Sequence, residues 1–340
     1  MELLFFIKRH NHIISKSPEK HYFCKKQFYS IMNHNTPQKQ RILVVGSTNT
    51  DMVIKTKKLP RPGETILGGT FLMNPGGKGA NQAVAVARLG GEVSFICKTG
   101  NDMFGKQSRE LFEKEGIDTS YMFSDSENPS GVALITVDEN AENCIAVASG
   151  ANGNLRTEDI DKVKEAFERA DIVLMQLEIP METVEYVAHK ASEMGKKVIL
   201  NPAPASALSP ALLKNLYMIT PNETEAEIIS GVKITDEDSA FEAAKVISKS
   251  GVPCVIITLG SKGALIYSET IQKIIPAYKV KAVDTTAAGD VFNGALAVAL
   301  SEGWQLEDAV RFGCKASAIS VCREGAQSSV PYRGEVDILS

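Results

Sequence analysis

From residue 41 onward, short apolar segments alternate with helical segments, and this alternation constrains the fold more than any other feature of the chain. RILVVG (41–46) is a β-branched run of strand length that ends in glycine. GGKGANQAVAVARLGG (76–91) has apolar residues at helical spacing and two glycines typical of a helix end. The pattern continues through EVSFICKTG, FGKQSRELFEKEG, ADIVLMQLE, METVEYVAHKASEMG, KKVILNPAP, ETEAEIISG and PCVIITLG. It predicts an α/β fold, a three-layer sandwich in which helices cover both faces of a mostly parallel central sheet.

Two segments interrupt this alternation. Residues 51–74 and 130–148 contain strand-like residues and turns with no helix between them. In the second segment, two apolar runs flank the polar sequence DENAEN, which is typical of a hairpin. We predict that both segments form a small antiparallel β-lid within one domain spanning 41–340. Such a layer has no cover of its own, which favours a lid over a ligand, a surface between two subunits, or both.

The charge distribution separates the start of the chain from the rest. Residues 1–41 carry eight Lys or Arg and two acids, whereas the remainder carries 29 basic and 39 acidic residues. Because nucleic-acid binding depends on cations, we expect no nucleic-acid partner for the acidic part. We interpret residues 1–40 as an N-terminal extension, either a disordered tail or a start assigned upstream of Met32, with an organellar transit peptide as a further alternative. LLFFI is too short for a secretory signal, and no apolar run reaches the roughly 18 residues of a membrane span.

Histidine and cysteine usage argues against several kinds of site. His189, the one histidine after residue 34, lies in the helical segment VEYVAHKASEMG, where we expect it to be solvent-exposed. No G-x-S-x-G turn accompanies it, so a serine-hydrolase triad is unsupported. The absence of a C-x-x-C pair argues against zinc and favours reduced thiols in a cytoplasmic protein. The cysteines are Cys24, Cys97, Cys144, Cys254, Cys314 and Cys322.

The segment VDTTAAGDVFNGALAVAL places an acid, Asp290, at the start of an apolar helix. Small residues precede it, so the unpaired N–H groups of the first helical turn are open to an anion. An acid there can accept a proton while the amides hold a phosphoryl group, as phosphoryl transfer requires. The alternative is that Asp290 only caps the helix. Capping does not require the small residues, so we predict that Asp290 is a base and that Ala288, Gly289 and Asp290 form an anion hole.

Two glycine- and asparagine-containing segments predict ligand contacts more weakly. NPGGKGANQAVA lacks P-loop spacing and is not expected to follow a strand, but it allows close backbone approach with Lys78 and Asn81 as donors. Asn81 at a helix start is alternatively a cap. In GSTNTD, Asn49 and Asp51 share one face at strand spacing, which suits a polyhydroxylated ligand. The alternative for that segment is a plain polar turn.

The segment TPNETEAE has two interpretations. Glu225, three residues after Asn222, can reach a metal-bound water, since Mg²⁺ keeps several waters and few protein ligands. The same spacing also matches a capping box with Asn222 as the cap. Taken alone, the segment favours the capping box.

Taken in order, the motifs GSTNTD, NPGGKGANQAVA, MQLEIP, NPAPA, TPNETEAE, ITLGSKG, VDTTAAGDVFNGAL and GAQSSVP resemble the PfkB family of carbohydrate kinases over about residues 41–335. GGKGAN, MQLE and NPAPA together resemble the members that act on ribose. The resemblance implies ATP-dependent transfer of a phosphoryl group to the ribose 5-hydroxyl, with Asp290 as the base, and a homodimer formed through the β-lid. It implies these contacts to the sugar: Asn49, Asp51, Gly77, Lys78, Asn81, Glu178 and Asp290.

The resemblance also implies sites for ATP and for two cations. The implied ATP-binding residues are Asn222, Thr258, Gly260, Ser261, Gly263, Gly289 and Cys314, of which Cys314 stands where relatives commonly have His or Asn. Glu225 is implied to bind Mg²⁺ through water. A monovalent cation, usually K⁺, is implied at Asp284, Thr286, Ser320, Arg323, Gly325 and Ser329, several of them through main-chain carbonyls.

Other functions stay open at this point. Deoxyribose or another sugar or nucleoside is an alternative substrate within the same family. A non-catalytic sugar-binding regulator is less favoured because Asp290 and the AAGD motif are intact. An NAD enzyme is less favoured because no G-x-G-x-x-G follows RILVVG.

Overall fold

A computed structural model describes residues 40–140 and 142–339. The predictions about the N-terminal extension and about Cys24 therefore lie outside the described residues. The strands of the described ranges are β1 (Arg41–Val45), β2 (Asn49–Lys55), β3 (Thr70–Gly76), β4 (Glu92–Gly100), β5 (Met122–Asp125), β6 (Gly131–Val137), β7 (Asn143–Ala148), β8 (Ile172–Met175), β9 (Lys197–Leu200), β10 (Met218–Ile219), β11 (Cys254–Thr258), β12 (Ala264–Ser268) and β13 (Gln272–Ile275). The helices are α1 (Lys78–Arg88), α2 (Met103–Lys114), α3 (Thr157–Asp161), α4 (Lys164–Arg169), α5 (Met181–Glu193), α6 (Pro210–Lys214), α7 (Glu223–Ser230), α8 (Glu237–Lys249), α9 (Ala288–Ser301), α10 (Leu306–Ser320) and α11 (Arg333–Ile338), with short 3₁₀ turns at Gly150–Asn154, Gly260–Lys262 and Gln327–Ser329.

A nine-stranded sheet with the order β13-β12-β11-β10-β9-β8-β1-β4-β5 forms the centre of the fold. Its strands pair in parallel except β12, which is antiparallel to both of its neighbours. The long apolar runs of the sequence are thus the buried strands of a mostly parallel sheet, which needs cover on both faces. The predicted fold class is confirmed.

Each face of the sheet packs against its own set of helices. In β1, Ile42 and Val44 point into one apolar cluster, which contains residues of α1, α2, α9, α10 and α11. The alternate residues Leu43 and Val45 point into a second cluster, which contains residues of α3 to α8. This alternation follows from the two-residue period of a strand and produces the three layers.

A second, four-stranded sheet with the order β3-β2-β6-β7 corresponds to the predicted β-lid. The β2–β3 and β6–β7 pairs are antiparallel, whereas β2 and β6 pair in parallel in the middle. The lid strands begin two residues before the predicted start, at Asn49, and β3 runs to Gly76. The GGKGAN segment therefore does follow a strand, contrary to the sequence-based expectation, although that strand belongs to the lid.

Three expectations about side chains and membranes concern the described part of the chain. His189 is exposed on α5, as expected, and its Nε2 lies 3.4 Å from Glu193 Oε1. The five cysteines in the described ranges are free thiols. Within those ranges, no helix combines the length and apolar character needed to cross a membrane.

Candidate active site

Polar segments meet at the carboxyl ends of the parallel strands. Strands β11, β10, β9, β8 and β1 are consecutive neighbours in the sheet, so the residues that follow each of them are brought together. This edge is where open α/β sheets bind ligands. The residues it gathers are Ser47 and Asn49 after β1, Glu178 after β8, Asn201 after β9, Asn222 after β10, and Gly260 after β11.

Asp290 lies in the first turn of α9 but does not cap that helix. The N-cap is Ala287, and no side chain caps the helix end. Instead, the buried Asp290 carboxylate accepts hydrogen bonds from Asn81 Nδ2 at 2.9 Å and from Gln82 Nε2 at 3.0 Å. The alternative of Asp290 as a capping residue is therefore wrong, and so is that of Asn81 as a cap of α1.

The main-chain amides at the start of α9 differ from one another in how they are used. The Ala288 N–H donates to the Thr285 carbonyl at 3.2 Å. The N–H groups of Gly289 and Asp290 have no acceptor within the described part of the chain. A Cβ added at Gly289 meets no atom within 4 Å, so the space in front of these amides is open. Of the three N–H groups predicted for the anion hole, only those of Gly289 and Asp290 are therefore free to bind an anion, because the Ala288 N–H is already used in the turn.

Lys78 is the cation at the centre of several carboxylates. Burial acts to lower the pKa of Lys78, but the charges of Asp290, Glu178 and Glu225 outweigh it and raise that pKa. Lys78 therefore stays protonated at neutral pH. It supplies a positive charge where the negative charge of a phosphoryl group can be held.

Asn49 and Asp51 present complementary groups at the start of β2. The Asn49 Oδ1 accepts from Asn152 Nδ2 at 2.8 Å, which leaves the Asn49 amide nitrogen available as a donor to a ligand. The Asp51 carboxylate packs against Gly76, where a larger residue has no room. Burial, with a further contribution from the charge of Glu178, raises the pKa of Asp51 to about 6. The pair offers a donor and an acceptor on one strand face, as predicted for a polyhydroxylated ligand.

Glu178 is fixed by two hydrogen bonds to its Oε2. Ser47 Oγ donates at 2.6 Å, and the Lys78 main-chain N–H donates at 3.0 Å. The backbone can approach so closely because Gly77 has a φ of 87° and because a Cβ there lies 2.7 Å from the Asn49 nitrogen. A glycine is therefore required at position 77 to bring the GGKGAN segment against the end of β1.

Asn222 and Glu225 form the capping box expected from their spacing. Asn222 Oδ1 accepts from the Glu225 N–H at 2.8 Å, and Glu225 Oε2 accepts from the Asn222 N–H at 2.9 Å. Glu225 is nevertheless buried towards the site. Burial raises its pKa, the Asn222 hydrogen bond and the Lys78 charge oppose that rise, and the Asp290 charge adds to it. The capping box holds one carboxylate close to Lys78 and Asp290.

The predicted nucleotide residues fall into two places. Thr258 at the end of β11 donates its N–H to the Pro221 carbonyl at 2.9 Å, and the 3₁₀ turn Gly260–Lys262 follows directly. Gly263 ends that turn with a φ of 111°. Cys314, in contrast, packs in the first apolar cluster with 8% of its surface exposed, and burial raises its pKa to about 11.

Asp284 joins the two segments predicted to hold a monovalent cation. Its carboxylate accepts from the Thr286 N–H and hydroxyl at 2.9 and 2.6 Å, and from the Gly325 N–H at 2.8 Å. Partial burial acts to raise the pKa of Asp284, but these hydrogen bonds outweigh it and lower that pKa. The other predicted cation residues lie at the end of α10 and in the segment after it: Ser320, Arg323 and Ser329.

Several residues of the site were not found from the sequence. Buried amides connect the predicted residues, with Asn152 behind Asn49 and Gln82 behind Asp290. Gln82 in turn contacts Gln176 and Asn201. One signal was available, because Gln176 directly follows the apolar run of β8 and a buried amide needs partners. Nothing in the local sequence of Asn152 indicates its role.

Comparisons with known proteins identify the family. The profile of the pfkB family carbohydrate kinases matches residues 39–333. The chain is 46% identical to the ribokinase of Haemophilus influenzae over 297 residues, which is 87% of this chain and 97% of that protein. It is 37% identical to the deoxyribokinase of Salmonella typhi over 291 residues, 85% of this chain and 95% of that protein. The solved structure of Arabidopsis thaliana ribokinase complexed with ribose and ATP superimposes with a TM-score of 0.81 at 33% identity, covering 89% of this chain and 100% of that one. The chain belongs to the pfkB family of carbohydrate kinases, as its motifs predicted.

Proposed function

We propose that this chain is an ATP-dependent kinase that phosphorylates D-ribose at the 5-hydroxyl to give ribose 5-phosphate. One observation carries the proposal for this sugar-kinase fold: the buried Asp290 carboxylate lies directly beside two free main-chain donors at the start of α9. A single acid next to an anion site is what transfer of a phosphoryl group to an alcohol requires.

In this mechanism, the Asp290 carboxylate accepts the proton of the sugar hydroxyl. The hydroxyl oxygen forms a bond to the γ-phosphorus of ATP, the bond from that phosphorus to the β–γ bridging oxygen breaks, and ADP leaves. The N–H groups of Gly289 and Asp290, with the charge of Lys78, stabilise the negative charge on the transferred group. The sugar hydroxyls are assigned to the residues around this point: Asn49, Asp51, Gly77, Lys78, Asn81 and Glu178.

The nucleotide and cations are assigned to the adjoining segments. Asn222, Thr258, Gly260, Ser261 and Gly263 are proposed to line the ATP site, with Gly289 at the phosphates. In the described ranges no cluster of three or more His, Cys, Asp or Glu is placed to hold a metal. A single buried carboxylate, Glu225, fits Mg²⁺, which keeps most of its water ligands and would neutralise phosphate charge.

A monovalent cation such as K⁺ is proposed at the segments joined by Asp284. The donor set there consists of a carboxylate, hydroxyls and main-chain carbonyls, all oxygen donors, which suits a hard cation. This assignment includes the main-chain oxygens near Ser320, Arg323, Gly325 and Ser329. Because Asp284 and Asp290 lie six residues apart on one segment, cation binding there would stabilise the position of the anion-binding turn.

The β-lid is proposed to pair two copies of the chain. In the register of β2 with β3 and β6, Met52 pairs with Met73 and Leu134, and Ile54 pairs with Phe71. Paired residues point to the same side of a sheet, so these side chains share one face of the lid. The exposed apolar residues on that side are Ile54, Phe71, Met73 and Leu134, between 44% and 59% exposed. A contiguous apolar face of this kind fits a second copy of the same face. A cytoplasmic location remains a prediction from the cysteine pattern.

The test of the substrate is ATP turnover with ribose, deoxyribose, fructose and adenosine, each with and without potassium. We expect the highest kcat/KM with ribose and a rise in rate with potassium. Deoxyribose is the second candidate because of the deoxyribokinase relative. A site that hydrogen-bonds the 2-hydroxyl should disfavour deoxyribose by about 10⁴-fold. A higher kcat/KM for deoxyribose would replace ribose as the substrate, and no turnover of any sugar would remove the kinase assignment.

A further inference from the structure

Gln82 lies directly behind Asp290 and is completely buried. Its Nε2 donates to Asp290 Oδ1 at 3.0 Å and to Asn201 Oδ1 at 3.1 Å, while its Oε1 accepts from Gln176 Nε2 at 2.6 Å. A flipped Gln82 amide would set its oxygen against two acceptor oxygens. The three contacts therefore fix which end of the amide faces Asp290.

The same network returns to the first turn of α9. Asn201 Nδ2 donates to the Thr220 carbonyl at 3.3 Å, and Thr220 Oγ1 donates to Asn293 Oδ1 at 2.6 Å. Asn293 Nδ2 then donates to the Gly289 carbonyl at 2.8 Å. The ends of β8, β9 and β10 are thus tied by buried amides to both Asp290 and the turn that carries the free N–H groups.

We propose that Gln82 is a positioning residue for the reaction: it holds the Asp290 carboxylate in one orientation and in its ionised form, so that the carboxylate accepts the sugar proton. Gln82 acts through Asp290, because its side chain is buried behind that residue and cannot reach the sugar. This inference rests on the proposed role of Asp290 as the base. Neither the spacing of the motif nor the family resemblance assigned a role to position 82.

The charges around Asp290 determine the direction of the expected effect. Burial raises the pKa of Asp290, the Lys78 charge and the hydrogen bonds from Asn81 and Gln82 lower it, and the Glu178 charge raises it. The Glu225 carboxylate also interacts with the charge of Asp290. Loss of the Gln82 donor removes one of the lowering contributions. The pH below which the base becomes protonated then moves upward.

The test is the pH dependence of ribose phosphorylation by Gln82→Met, which keeps the length of the side chain and removes its donor. We expect kcat near neutral pH to fall about 10- to 100-fold, since the hydrogen bond to a charged group is lost. The acidic limb of the pH profile should move up by about one pH unit. The KM for ribose should change by less than about threefold, because Gln82 does not touch the substrate. Thr183→Val is the matched control: it removes a buried hydrogen bond to the Leu155 carbonyl, away from Asp290, and should leave kcat and the pH profile unchanged.

A second variant guards against a simple folding defect. Gln176→Met leaves the Gln82 donor in place but frees its orientation, so it should shift the acidic limb in the same direction by a smaller amount. In the Gln82→Met background, Gln176→Met should add no further shift. Independent, additive shifts, or a wild-type acidic limb in Gln82→Met, would overturn the positioning role. Asp290→Asn separates the two proposals. If that variant retains activity, the assignment of Asp290 as the base fails. If Asp290→Asn is inactive and Gln82→Met has the pH profile of the wild type, only the role of Gln82 is refuted.

Discussion

Neutralising Asp51 should stabilise the ligand-free protein while weakening its hold on the sugar. The pKa of Asp51 rises from 3.8 to about 6 in the fold because the carboxylate is buried beside the charge of Glu178. That rise of about two pH units corresponds to at most about 3 kcal/mol of destabilisation by the ionised form. Asp51 is only partly buried, so solvent screening reduces the expected gain in Asp51→Asn to about 1–2 kcal/mol. For a domain of this size the melting temperature should rise by about 2–5 °C.

The pH dependence of this gain has a defined sign. The folded state binds a proton at Asp51 between pH 3.8 and about 6, where the unfolded chain does not. The ionised form therefore destabilises the fold fully above that window, progressively less as the pH falls through it, and not at all below it. The free energy of unfolding of Asp51→Asn should exceed that of the wild type by the full expected gain at about pH 8. At about pH 5 it should exceed it by about half of that gain.

Thermal unfolding of both proteins without ligand, followed by circular dichroism, measures the difference. Glu269→Gln removes one charge from the exposed turn between β12 and β13 and serves as the control, with no gain expected at either pH. Ribose should raise the melting temperature of the wild type more than that of Asp51→Asn. The claim that the ionised Asp51 carboxylate destabilises the ligand-free fold is refuted by either of two results. One is that Asp51→Asn is no more stable than the wild type at the higher pH, and the other is that its gain in stability is the same at both pH values.

Three further outcomes follow from the structure. Gly289→Ala should lower kcat about 10- to 100-fold with little effect on stability, since its methyl group meets only open space where the phosphoryl group is proposed to bind. Gly334→Ala is the control, because Gly334 holds the same position in the first turn of α11 and also has no neighbours; it should leave kcat and stability unchanged. Equal kcat in the two variants would count against the anion hole. Leu134→Lys on the lid should convert a dimer to a monomer in light scattering, whereas an unaltered mass would show that this face does not pair two copies. Removal of residues 1–39 should leave turnover and melting temperature unchanged, because the family match begins at residue 39, and a large loss of either would place the extension within the fold.

The sequence was sufficient for the fold because its signals are local. Several buried strands are short β-branched runs such as RILVVG, and several helices end at or next to a glycine such as Gly116 or Gly231. Parallel pairing then follows from the strand–helix alternation. The parallel pairing of β2 with β6 was missed because it joins segments about 80 residues apart, and no hairpin signal marks it.

The site was partly predictable for a related reason. Asp290 stood out because its helix start combines an acid with small residues. Its actual hydrogen-bond partners, Asn81 and Gln82, lie more than 200 residues away in the chain, so the local pattern could not distinguish a cap from a base held by amides. The use of the Ala288 amide by Thr285 depends on the turn conformation, including the φ of 60° at Ala287, which sequence alone does not indicate.

The most direct test of the central claim is the phosphorylation rate of Asp290→Asn with ATP and ribose at saturation. Asn keeps the shape of the side chain and cannot accept the sugar proton. We predict that kcat falls by about three orders of magnitude or more, while ribose and ATP still raise the melting temperature, because the amides of Gly289 and position 290 remain. Retention of more than about a tenth of the wild-type kcat would contradict the claim that this carboxylate is the base.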